Sequence, residues 1–590
     1  MDWHGWLTVL LTAGVLLTLI FSRFSSDLVL MVALTVLSAA GVLDPKQALS
    51  GFSNEGLITV AAMFVIAAGI SSTGGVEMVV NKLLGNPKST QGALLRLVLP
   101  LIPLSAFLNN TPVVATMIPA VTRWSKRIGV APSKLMIPLS YTAILGGTLT
   151  LIGTSTNLVV NGQYQALTGK KGFELFDITW IGLPVAVVGV LFIVFCMPFM
   201  LPNRQSAAEQ FADRKKFTFE VAVANNGPLE GVTVAKAGLR NLQRIYLVEI
   251  ERHGSIVTAV SSEEKLQGGD RLVFVGETSA IFDILRINGL VPSDSQTPVI
   301  DKDTPERCLV EAVVSQRCDS IGKAIRDSHF RDRYGAVVLA VARDGEAIQG
   351  NLGSIELQPG DVLLLEARPA FVTRQRVQRD FLLINDLEET RPNHQRAKLA
   401  WALLLGVIAA ATFGLTSMLN AALVGAGLMV LTGCCSIAEA RRSLDLTVLI
   451  SIAASFALGN ALQVSGAADF IARHILSVGD GNPWILLGLT YVTVSILTEV
   501  ITNNAAALLM LPIVLAITSS QGLNPEPFVF ATMMGASASF ATPLGYQTNL
   551  MVYGPGGYHF KDFLRVGVPM NIITAITTVG LIPFIWPLQN

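Results

Sequence analysis

Asparagine and threonine side chains interrupt two long apolar stretches of the sequence. The first interruption is Asn109-Asn110-Thr111-Pro112, within residues 94–122, and the second is Thr502-Asn503-Asn504, within residues 484–518. Amide and hydroxyl groups are uncharged, so they can hydrogen-bond a ligand or offer oxygen lone pairs to a hard cation. Polar groups at such positions indicate binding chemistry deep within an apolar environment.

A second pair of polar segments follows the same order. Residues 153–162 and 545–554 are identical at six of ten positions, at an offset of 392 residues. Residues 57–74 share further identities with residues 449–466 at this offset, and Asn110 to Pro119 matches Asn503 to Pro512 at an offset of 393. Three matches in one order predict that residues 1–202 and 395–590 are two copies of one unit.

Charged residues are concentrated between these two copies. Hydrophobic residues make up 51% of the 590 residues and charged residues 14%, against about 25% charge in soluble proteins. Residues 203–394 hold 52 of the 84 charged residues. The composition predicts two membrane segments around one soluble segment, and it excludes collagen, a disordered chain and a disulfide scaffold.

Spanning helices of about 20 apolar residues are predicted at matched positions in the two copies. They lie near 5–21, 27–43, 55–74, 135–163 and 175–201, and near 397–417, 420–435, 446–464, 527–555 and 563–588. Residues 94–122 and 484–518 each contain two shorter apolar arms around a polar centre, which predicts a re-entrant hairpin. The alternative is a single kinked span with buried polar residues.

Five crossings per copy place the second copy upside down relative to the first. If residues 203–394 are cytoplasmic, the outer loops keep only Lys46, Lys170, Lys171 and Arg473, and the other loop lysines and arginines lie inside, as the positive-inside rule requires. Both termini are then outside. The predicted fold class is a polytopic α-helical membrane protein with two inverted repeats, each of about five spans and one re-entrant hairpin.

The fourth span of each copy is interrupted by polar residues and glycine. The interruptions are Thr148-Leu149-Thr150 with Gly153 to Asn157, and Thr542-Pro543-Leu544-Gly545. Inverted repeats with broken helices at matching positions are typical of secondary transporters, although small residues also permit close helix packing. Away from the ends of the predicted spans there is no lysine or arginine, and none lies beside a hairpin tip. A bound anion would therefore need helix N-termini, backbone amides and Asn or Thr side chains.

Glu499 is the one acidic residue that lies away from the ends of the predicted membrane segments. Intramembrane acids are often proton carriers or counter-charges. Glu499 could equally be a structural acid that hydrogen-bonds the backbone of its own hairpin. The sequence leaves these two interpretations open.

At these residues the chain resembles the divalent anion/sodium symporter family, which carries sulfate and dicarboxylates. That family has a Ser-Asn-Thr signature at each hairpin tip, preceded in the second copy by Thr-Glu. Here the tips read Asn109-Asn110-Thr111 and Thr502-Asn503-Asn504, with Thr498-Glu499 upstream. The central asparagine is kept in both tips and the flanking residues depart. The resemblance covers nearly all of residues 1–202 and 395–590.

The resemblance implies two sodium sites, a substrate site at the tips and a homodimer whose transport part moves like an elevator against a fixed scaffold. The implied sodium ligands are Ser105, Asn109, Asn110, Gly153, Asn157, Thr498, Thr502, Asn503, Gly545 and Asn549. The implied substrate residues are Asn109, Asn110, Thr111, Thr154, Thr502, Asn503, Asn504 and Thr548. Glu499 is the candidate coupling residue, for a proton or beside sodium, and no organic cofactor is expected.

Residues 203–394 contain a repeat of their own. Residues 266–270 match 357–361 and residues 252–254 match 343–345, both at an offset of 91 residues. Each copy alternates short β-strands with a helix and resembles the TrkA C-terminal (RCK-C) domain, which predicts α+β domains at 203–300 and 301–394. No nucleotide-binding glycine motif follows a strand, and a small ligand and a simple dimerisation clamp both remain open.

These observations favour a transporter over an enzyme, because the six histidines are scattered and no nucleophile or metal motif is present. The expected function is Na⁺-coupled symport of a small divalent anion, sulfate first and C4-dicarboxylate second, in a bacterial-type inner membrane. Proton coupling is the alternative to sodium, and no nucleic-acid partner is expected. The alternative function is an RCK-regulated cation channel or potassium transport protein, which would need a filter of backbone carbonyls.

Overall fold

The computed structural model divides the chain into two compact units. It describes residues 1–21, 24–204, 218–239, 245–252, 255–258, 260, 263–276, 287–292, 308–315, 318–343, 346–348, 352–367, 380–386, 396–479, 481–543 and 545–589. The helical unit comprises residues 1–203, 392–552 and 558–590, and the sheet unit comprises residues 204–391 and 553–557.

The first part of the helical unit is a series of α-helices joined by short turns. They are α1 (Trp3–Phe21), α2 (Ser26–Ala39), α3 (Pro45–Leu49), α4 (Glu55–Ser72), α5 (Gly75–Leu84), α6 (Thr90–Phe107), α7 (Asn110–Ile128), α8 (Met136–Gly147), α9 (Ser155–Thr168), α10 (Thr179–Leu191) and α11 (Met197–Met200). A π-helical turn, Phe192–Cys196, joins α10 to α11, and 3₁₀ turns cover Ser50–Ser53 and Pro132–Lys134.

The second part of the helical unit follows the sheet unit in the chain. Between the two parts, α12 (Phe330–Tyr334) is a short helix among the described residues of the sheet unit. The helices that follow are α13 (Ala397–Thr412), α14 (Met418–Leu431), α15 (Ile437–Ser443), α16 (Leu446–Val464), α17 (Ala467–Gly479), α18 (Pro483–Thr498), α19 (Asn503–Gln521), α20 (Pro525–Ser537), α21 (Gln547–Tyr553) and α22 (Phe560–Ile585).

Several of these helices are long and apolar enough to cross a membrane. By length and composition, the described residues contain seven such helices, or eight if the bent pair α7 and α8 is one span: Trp3–Phe21, Pro45–Ser72, Thr90–Phe107, Thr179–Met200, Leu446–Val464, Asn503–Gln521 and Phe560–Ile585. Leu10, Leu183 and Ile576 are large apolar side chains on exposed faces of α1, α10 and α22. The predicted helical, membrane-type character is therefore confirmed.

The helices of the two parts correspond in position. α2 and α14 differ by 392 residues at both ends, and α7 and α19 differ by 393 residues at both ends. α7 ends at Gly129 with φ 68° and α19 ends at Gly522 with φ 64°, a left-handed conformation that glycine adopts without a steric penalty.

The packing of the two parts is reciprocal. α2 packs against α16 of the second part, and α14 packs against α4 of the first part. Within each part, the helix before the hairpin tip packs on the helix before the break, as α6 does on α8 and α18 does on α20. Corresponding helices therefore have corresponding neighbours.

The helix lengths differ from the predicted ones in two respects. The hairpin arms α6, α7, α18 and α19 have 18, 19, 16 and 19 residues, so they extend beyond the predicted segments 94–122 and 484–518. Their polar ends continue the helix because helix formation does not require an apolar side chain. The predicted spans 27–43, 397–417 and 420–435 are shorter helices of 14, 16 and 14 residues.

The described residues of the sheet unit form two five-stranded antiparallel sheets. Their strands are β1 (Thr218–Val223), β2 (Ile245–Arg252), β3 (Ser255–Thr258), β4 (Arg271–Gly276), β5 (Leu290–Pro292), β6 (Cys308–Val314), β7 (Ala336–Arg343), β8 (Glu346–Ala347), β9 (Val362–Ala367) and β10 (Phe381–Asp386). The strand orders are β3-β2-β4-β1-β5 and β10-β6-β9-β7-β8. Read in the opposite direction, the second order repeats the first.

The same ion pair stabilises both sheets. Arg252 makes two hydrogen bonds to Asp270, and Arg343 makes two to Asp361, with N–O distances of 2.8 to 2.9 Å. Both aspartates are 1% exposed, and the positions differ by 91 residues. Bidentate arginine–carboxylate pairs have a defined geometry, so this pair fixes the turn before β4 and before β9 in the same way.

Candidate functional site

The first candidate hairpin tip lies between α6 and α7, which Leu108 and Asn109 separate. The Ser105 hydroxyl lies 2.5 Å from the side-chain oxygen of Asn110 and 2.7 Å from the carbonyl oxygen of Ala143. A hydroxyl group has only one proton to donate. Three oxygen atoms therefore share one proton, and their remaining lone pairs are available to a hard cation.

The second tip, between α18 and α19, repeats this arrangement. The Thr498 hydroxyl lies 2.9 Å from the side-chain oxygen of Asn503 and 2.9 Å from the carbonyl oxygen of Ala536. Each of the three positions is 393 residues beyond its counterpart in the first tip. Serine in one copy and threonine in the other supply the same hydroxyl.

The break between α8 and α9 is bonded to the first tip. The Thr150 hydroxyl donates to the carbonyl oxygen of Ala106, at the end of α6. The backbone amide of Gly153 donates to the Thr150 hydroxyl oxygen at 3.2 Å, and the Asn157 side-chain amide donates to the Thr150 carbonyl oxygen at 3.1 Å. Side chains thus satisfy backbone groups that a continuous helix would satisfy itself.

The break between α20 and α21 has the same bonds. The Thr542 hydroxyl donates to the carbonyl oxygen of Glu499 at 3.2 Å, and the Gly545 amide donates to the Thr542 hydroxyl oxygen at 3.0 Å. The Asn549 side-chain amide donates to the Thr542 carbonyl oxygen at 3.1 Å. These positions lie at the offsets 392 and 393 from the first set.

Close backbone approach explains the glycine in each break. A Cβ atom at Gly153 would lie 2.6 Å from the carbonyl oxygen of Gly147 and 2.9 Å from that of Ala106. A Cβ atom at Gly545 would lie 2.3 Å from the hydroxyl of Ser539 and 3.0 Å from the Cα atom of Glu499, at the second tip. Both positions therefore require glycine, and both bring the break against the tip.

The two breaks differ in the hydrogen bonding of one asparagine side-chain oxygen. The side-chain oxygen of Asn549 accepts a hydrogen bond from Ser140 at 2.7 Å. The side-chain oxygen of Asn157 is buried and has no hydrogen-bond partner among the described residues. A buried acceptor without a donor costs about 1–3 kcal/mol, which makes this oxygen a candidate ligand for a cation in the first copy.

The first tip also contacts the broken helix of the other copy. The Asn110 side-chain amide donates to the Tyr546 hydroxyl at 2.7 Å, and the Thr111 hydroxyl lies 3.4 Å from the side-chain oxygen of Gln547. The N-terminus of α7 is therefore bonded to the start of α21.

The second tip is bonded across the copies in the same way. The Asn504 side-chain oxygen accepts from the Thr156 hydroxyl at 2.9 Å, and its amide donates to the Ser155 hydroxyl at 3.3 Å. Thr548 is buried, and its hydroxyl lies 2.8 Å from the Ser140 hydroxyl. The N-terminus of α19 thus meets that of α9, so tips and breaks of both copies form one polar cluster.

Helix N-termini in this cluster lack side-chain caps. Asn109, Thr154 and Thr502 precede α7, α9 and α19 and make no capping hydrogen bond. By contrast, Ser89 and Asn482 cap α6 and α18 at the far ends of the hairpins. Uncapped backbone N–H groups and the positive end of the helix dipole together favour an anion.

Glu499 is held by three hydrogen-bond donors. One carboxylate oxygen accepts from the Ala541 amide at 2.8 Å and from the Asn571 side-chain amide at 2.9 Å, and the other accepts from the Thr542 amide at 2.9 Å. The carboxylate thus connects the end of α18 to the second break and to α22.

The cluster is built from uncharged groups around this one carboxylate. Among the described residues, none of the hydrogen bonds at the tips involves lysine or arginine, and no group of three His, Cys, Asp or Glu residues could hold a metal ion. An anion would meet backbone amides, and a cation would meet carbonyl and hydroxyl oxygens.

The structure brings the predicted site residues together, and it adds others that sequence reasoning missed. The residues missed are Ser140, Tyr546, Gln547 and Asn571, together with Thr150, which was predicted to interrupt the helix but was not among the predicted site residues. For Thr150 a signal was present, because Thr542 lies 392 residues further on. For the others, no pattern in the sequence indicates contact.

The polar breaks within paired apolar helices define a membrane transport protein. The chain belongs to the citrate transporter family, whose model (CitMHS) matches residues 16–463 and 416–589. This membership confirms the resemblance to divalent anion/sodium symporters. The protein is therefore a multi-pass membrane transporter and not an enzyme.

Individual relatives cover almost the whole chain. A Chlamydomonas reinhardtii protein whose name assigns it to the response to sulfur deprivation is 36% identical, over 94% of this chain and 97% of its own length. An uncharacterised transporter of Synechocystis is 32% identical, over 100% and 98%. Sodium/sulfate cotransporter 1 of C. reinhardtii is 26% identical, over 97% and 89%.

Proposed function

We propose that the protein is a Na⁺-coupled symporter of a small divalent anion, with sulfate as the first candidate and a C4-dicarboxylate as the second. The observation that carries this proposal is the matched pair of tips, in which corresponding side chains make corresponding hydrogen bonds at an offset of 393 residues. A sodium/sulfate cotransporter among the relatives supports sodium and sulfate. The citrate transporter family supports a carboxylate as the second substrate class.

Two sodium sites are proposed, one at each tip. The first would use oxygens of Ser105, Asn109, Asn110, Gly153 and Asn157, and the second those of Thr498, Thr502, Asn503, Gly545 and Asn549. The clusters of three oxygens around one proton support both sites. The unpartnered side-chain oxygen of Asn157 supports the first site in addition.

The anion site is proposed between the tips. Backbone amides at the uncapped starts of α7, α9 and α19 would bind the oxyanion, as supported by the missing side-chain caps. Side chains that line this polar cluster would complete the site: Asn109, Asn110, Thr111, Thr154, Thr502, Asn503, Asn504 and Thr548.

The proposed architecture is a pair of inverted repeats, residues 1–202 and 395–590, each with a re-entrant hairpin. Support comes from the matched helix bounds and the reciprocal packing of α2 on α16 and α14 on α4. Transport would follow an elevator mechanism, in which the part carrying tips and breaks moves against the remaining helices. The membrane is proposed to be a bacterial-type inner membrane, with both termini outside.

Residues 203–300 and 301–394 are proposed to be cytoplasmic tandem RCK-C-like domains. They would regulate transport or hold two protomers together as a homodimer. The equal strand order of the two sheets supports a duplicated domain. A titration that measures small-molecule binding to the protein in solution would decide whether these domains bind a ligand.

Glu499 is proposed as a brace beside the second sodium site, with proton carriage as the alternative. Its three donors come from the break and from α22, so the carboxylate holds the backbone around Thr542 and Gly545 in place. The geometry of the second sodium site therefore depends on Glu499, although Glu499 is not one of its proposed ligands.

Uptake into proteoliposomes tests the proposed function. With an inward Na⁺ gradient we expect saturable uptake of labelled sulfate, and slower uptake of labelled succinate. A proton gradient without Na⁺ should give little uptake of either anion. Transport of neither anion would contradict the substrate, and single-channel currents in planar bilayers would favour the alternative function of a regulated cation channel.

A further inference from the structure

Tyr546 connects the two copies at the centre of the polar cluster. Its hydroxyl accepts a hydrogen bond from the Asn110 side-chain amide at 2.7 Å, although the two residues are 436 positions apart in the chain. The side chain of Thr154 faces the same hydroxyl. Tyr546 is 9% exposed, so its ring occupies space inside the cluster and does not project from it.

The corresponding position in the first copy is Thr154, 392 residues earlier. Both residues precede a helix that follows the break, α9 after Thr154 and α21 after Tyr546. The otherwise matched cluster therefore carries a phenol ring on one side and a small hydroxyl on the other. An asymmetric pair of this kind narrows the space between the tips from one side only.

The hydrogen bonds of Asn110 assign a chemical role to this phenol. The side-chain oxygen of Asn110 lies against the Ser105 hydroxyl and its amide group donates one of its two protons to Tyr546. Because Asn110 is the donor to Tyr546, the phenol keeps its own proton, for which the Thr154 hydroxyl and a bound anion are the two available acceptors. A hydroxyl that already accepts a hydrogen bond is also a stronger donor.

We infer that Tyr546 is a specificity-determining residue, which hydrogen-bonds the anion and limits the site to a compact tetrahedral oxyanion such as sulfate. This inference rests on the proposed function. A phenol at this place supplies a neutral donor to the oxyanion, and its ring fills the room that the carbon chain of a C4-dicarboxylate would need. If Tyr546 were purely structural, its hydroxyl would hold α21 against α7 and would not contact the anion.

Two substitutions separate the hydroxyl from the ring. Tyr546→Phe removes the hydroxyl and keeps the ring, so packing is retained. Tyr546→Thr reproduces the residue at the corresponding position of the first copy and opens the site. The matched control is Tyr491→Phe, because Tyr491 is also buried and its hydroxyl contacts Thr574, at 3.2 Å, and Thr578, both on α22 and not in a tip or a break.

The test is the initial rate of labelled sulfate and labelled succinate uptake by each variant in proteoliposomes, over a range of concentrations. Tyr546→Phe should raise the KM for sulfate about 10- to 100-fold, the loss of one hydrogen bond to a charged ligand. Tyr546→Thr should raise the ratio of succinate to sulfate kcat/KM about 10-fold or more, and Tyr491→Phe should leave this ratio unchanged.

Three results would contradict the inference, and they differ in what else they contradict. If the unsubstituted protein transports sulfate and both Tyr546 variants keep its sulfate-to-succinate ratio, Tyr546 is structural and the proposed function stands. If the unsubstituted protein prefers succinate, the size limit is wrong. If it transports neither anion, the proposed function fails together with this inference.

Discussion

Replacing Asn110 or Asn503 by alanine should abolish transport and leave the protein folded. Asn110 is 1% exposed and bonds Ser105 and Tyr546, and Asn503 bonds Thr498. Each substitution removes an oxygen from a proposed sodium site and leaves the Ser105 or Thr498 hydroxyl bonded only to its carbonyl partner. The lost hydrogen bond is worth about 0.5–1.5 kcal/mol, which the rest of the fold tolerates, whereas the ion loses a ligand. Uptake of labelled sulfate should fall at least 100-fold.

The matched control for this pair is Asn482→Ala. Asn482 caps α18, at the far end of the second hairpin from its tip. Loss of the cap costs about 1 kcal/mol of stability and removes no group from the proposed site, so uptake should stay near normal. Thermal melting of the purified variants checks that all of them are folded. Near-normal uptake by either tip variant would show that the site lies elsewhere.

Glu499→Gln should raise the Na⁺ concentration for half-maximal uptake about 10-fold and leave the pH profile unchanged. The two carboxylate oxygens accept hydrogen bonds from Ala541, Thr542 and Asn571. A glutamine amide group at either oxygen would place a donor against a donor, which displaces the backbone around Gly545. The second sodium site then loses its geometry, because one unsatisfied buried donor costs about 1–3 kcal/mol.

The control for this substitution is Glu526→Gln, in the first turn of α20 at the end opposite the break. It makes the same chemical change away from Glu499 and should leave both Na⁺ dependence and pH profile intact. Sulfate uptake measured from acidic to alkaline pH at several Na⁺ concentrations separates the two roles of Glu499. A Glu499→Gln variant with normal Na⁺ dependence and a flattened pH profile would establish proton carriage instead.

The repeat was predictable from the sequence because each copy had to keep the same polar groups at the same spacing. Asn110 and Asn503, Asn157 and Asn549, and Gly153 and Gly545 all show the offset directly. In the sheet unit, β4 and β9 begin directly after the repeated segments 266–270 and 357–361, since a short apolar run after a Gly-Asp turn is typical of a strand.

Contacts between the copies were not predictable in this way. The packing of whole helices brings Asn110 to Tyr546 and Asn504 to Thr156, and no local pattern in the sequence encodes those distances.

The lengths of the hairpin arms were also missed. Arg123 and the residues that follow extend α7 to Ile128, because a polar segment continues a helix whose apolar turns are already packed.

The two copies differ at positions in the proposed site, and these differences bear on how each copy binds its ligand. Asn549 is satisfied by Ser140 while the equivalent oxygen of Asn157 has no partner among the described residues. Tyr546 stands where the first copy has Thr154. Two copies that were identical in these positions would form equivalent sites, whereas these differences predict unequal cation affinities and one preferred size of anion.

The most direct measurement is the position of a bound oxyanion. Selenate has the charge and shape of sulfate, and selenium can be located by its anomalous scattering in crystals grown with Na⁺ and selenate. We expect one anomalous peak between Asn109 and Thr502. It should place the selenate oxygens within hydrogen-bonding distance of the backbone amides at the starts of α7 and α19. A peak beside lysine or arginine residues elsewhere, or none at the tips under saturating selenate, would contradict an anion site built from uncharged groups.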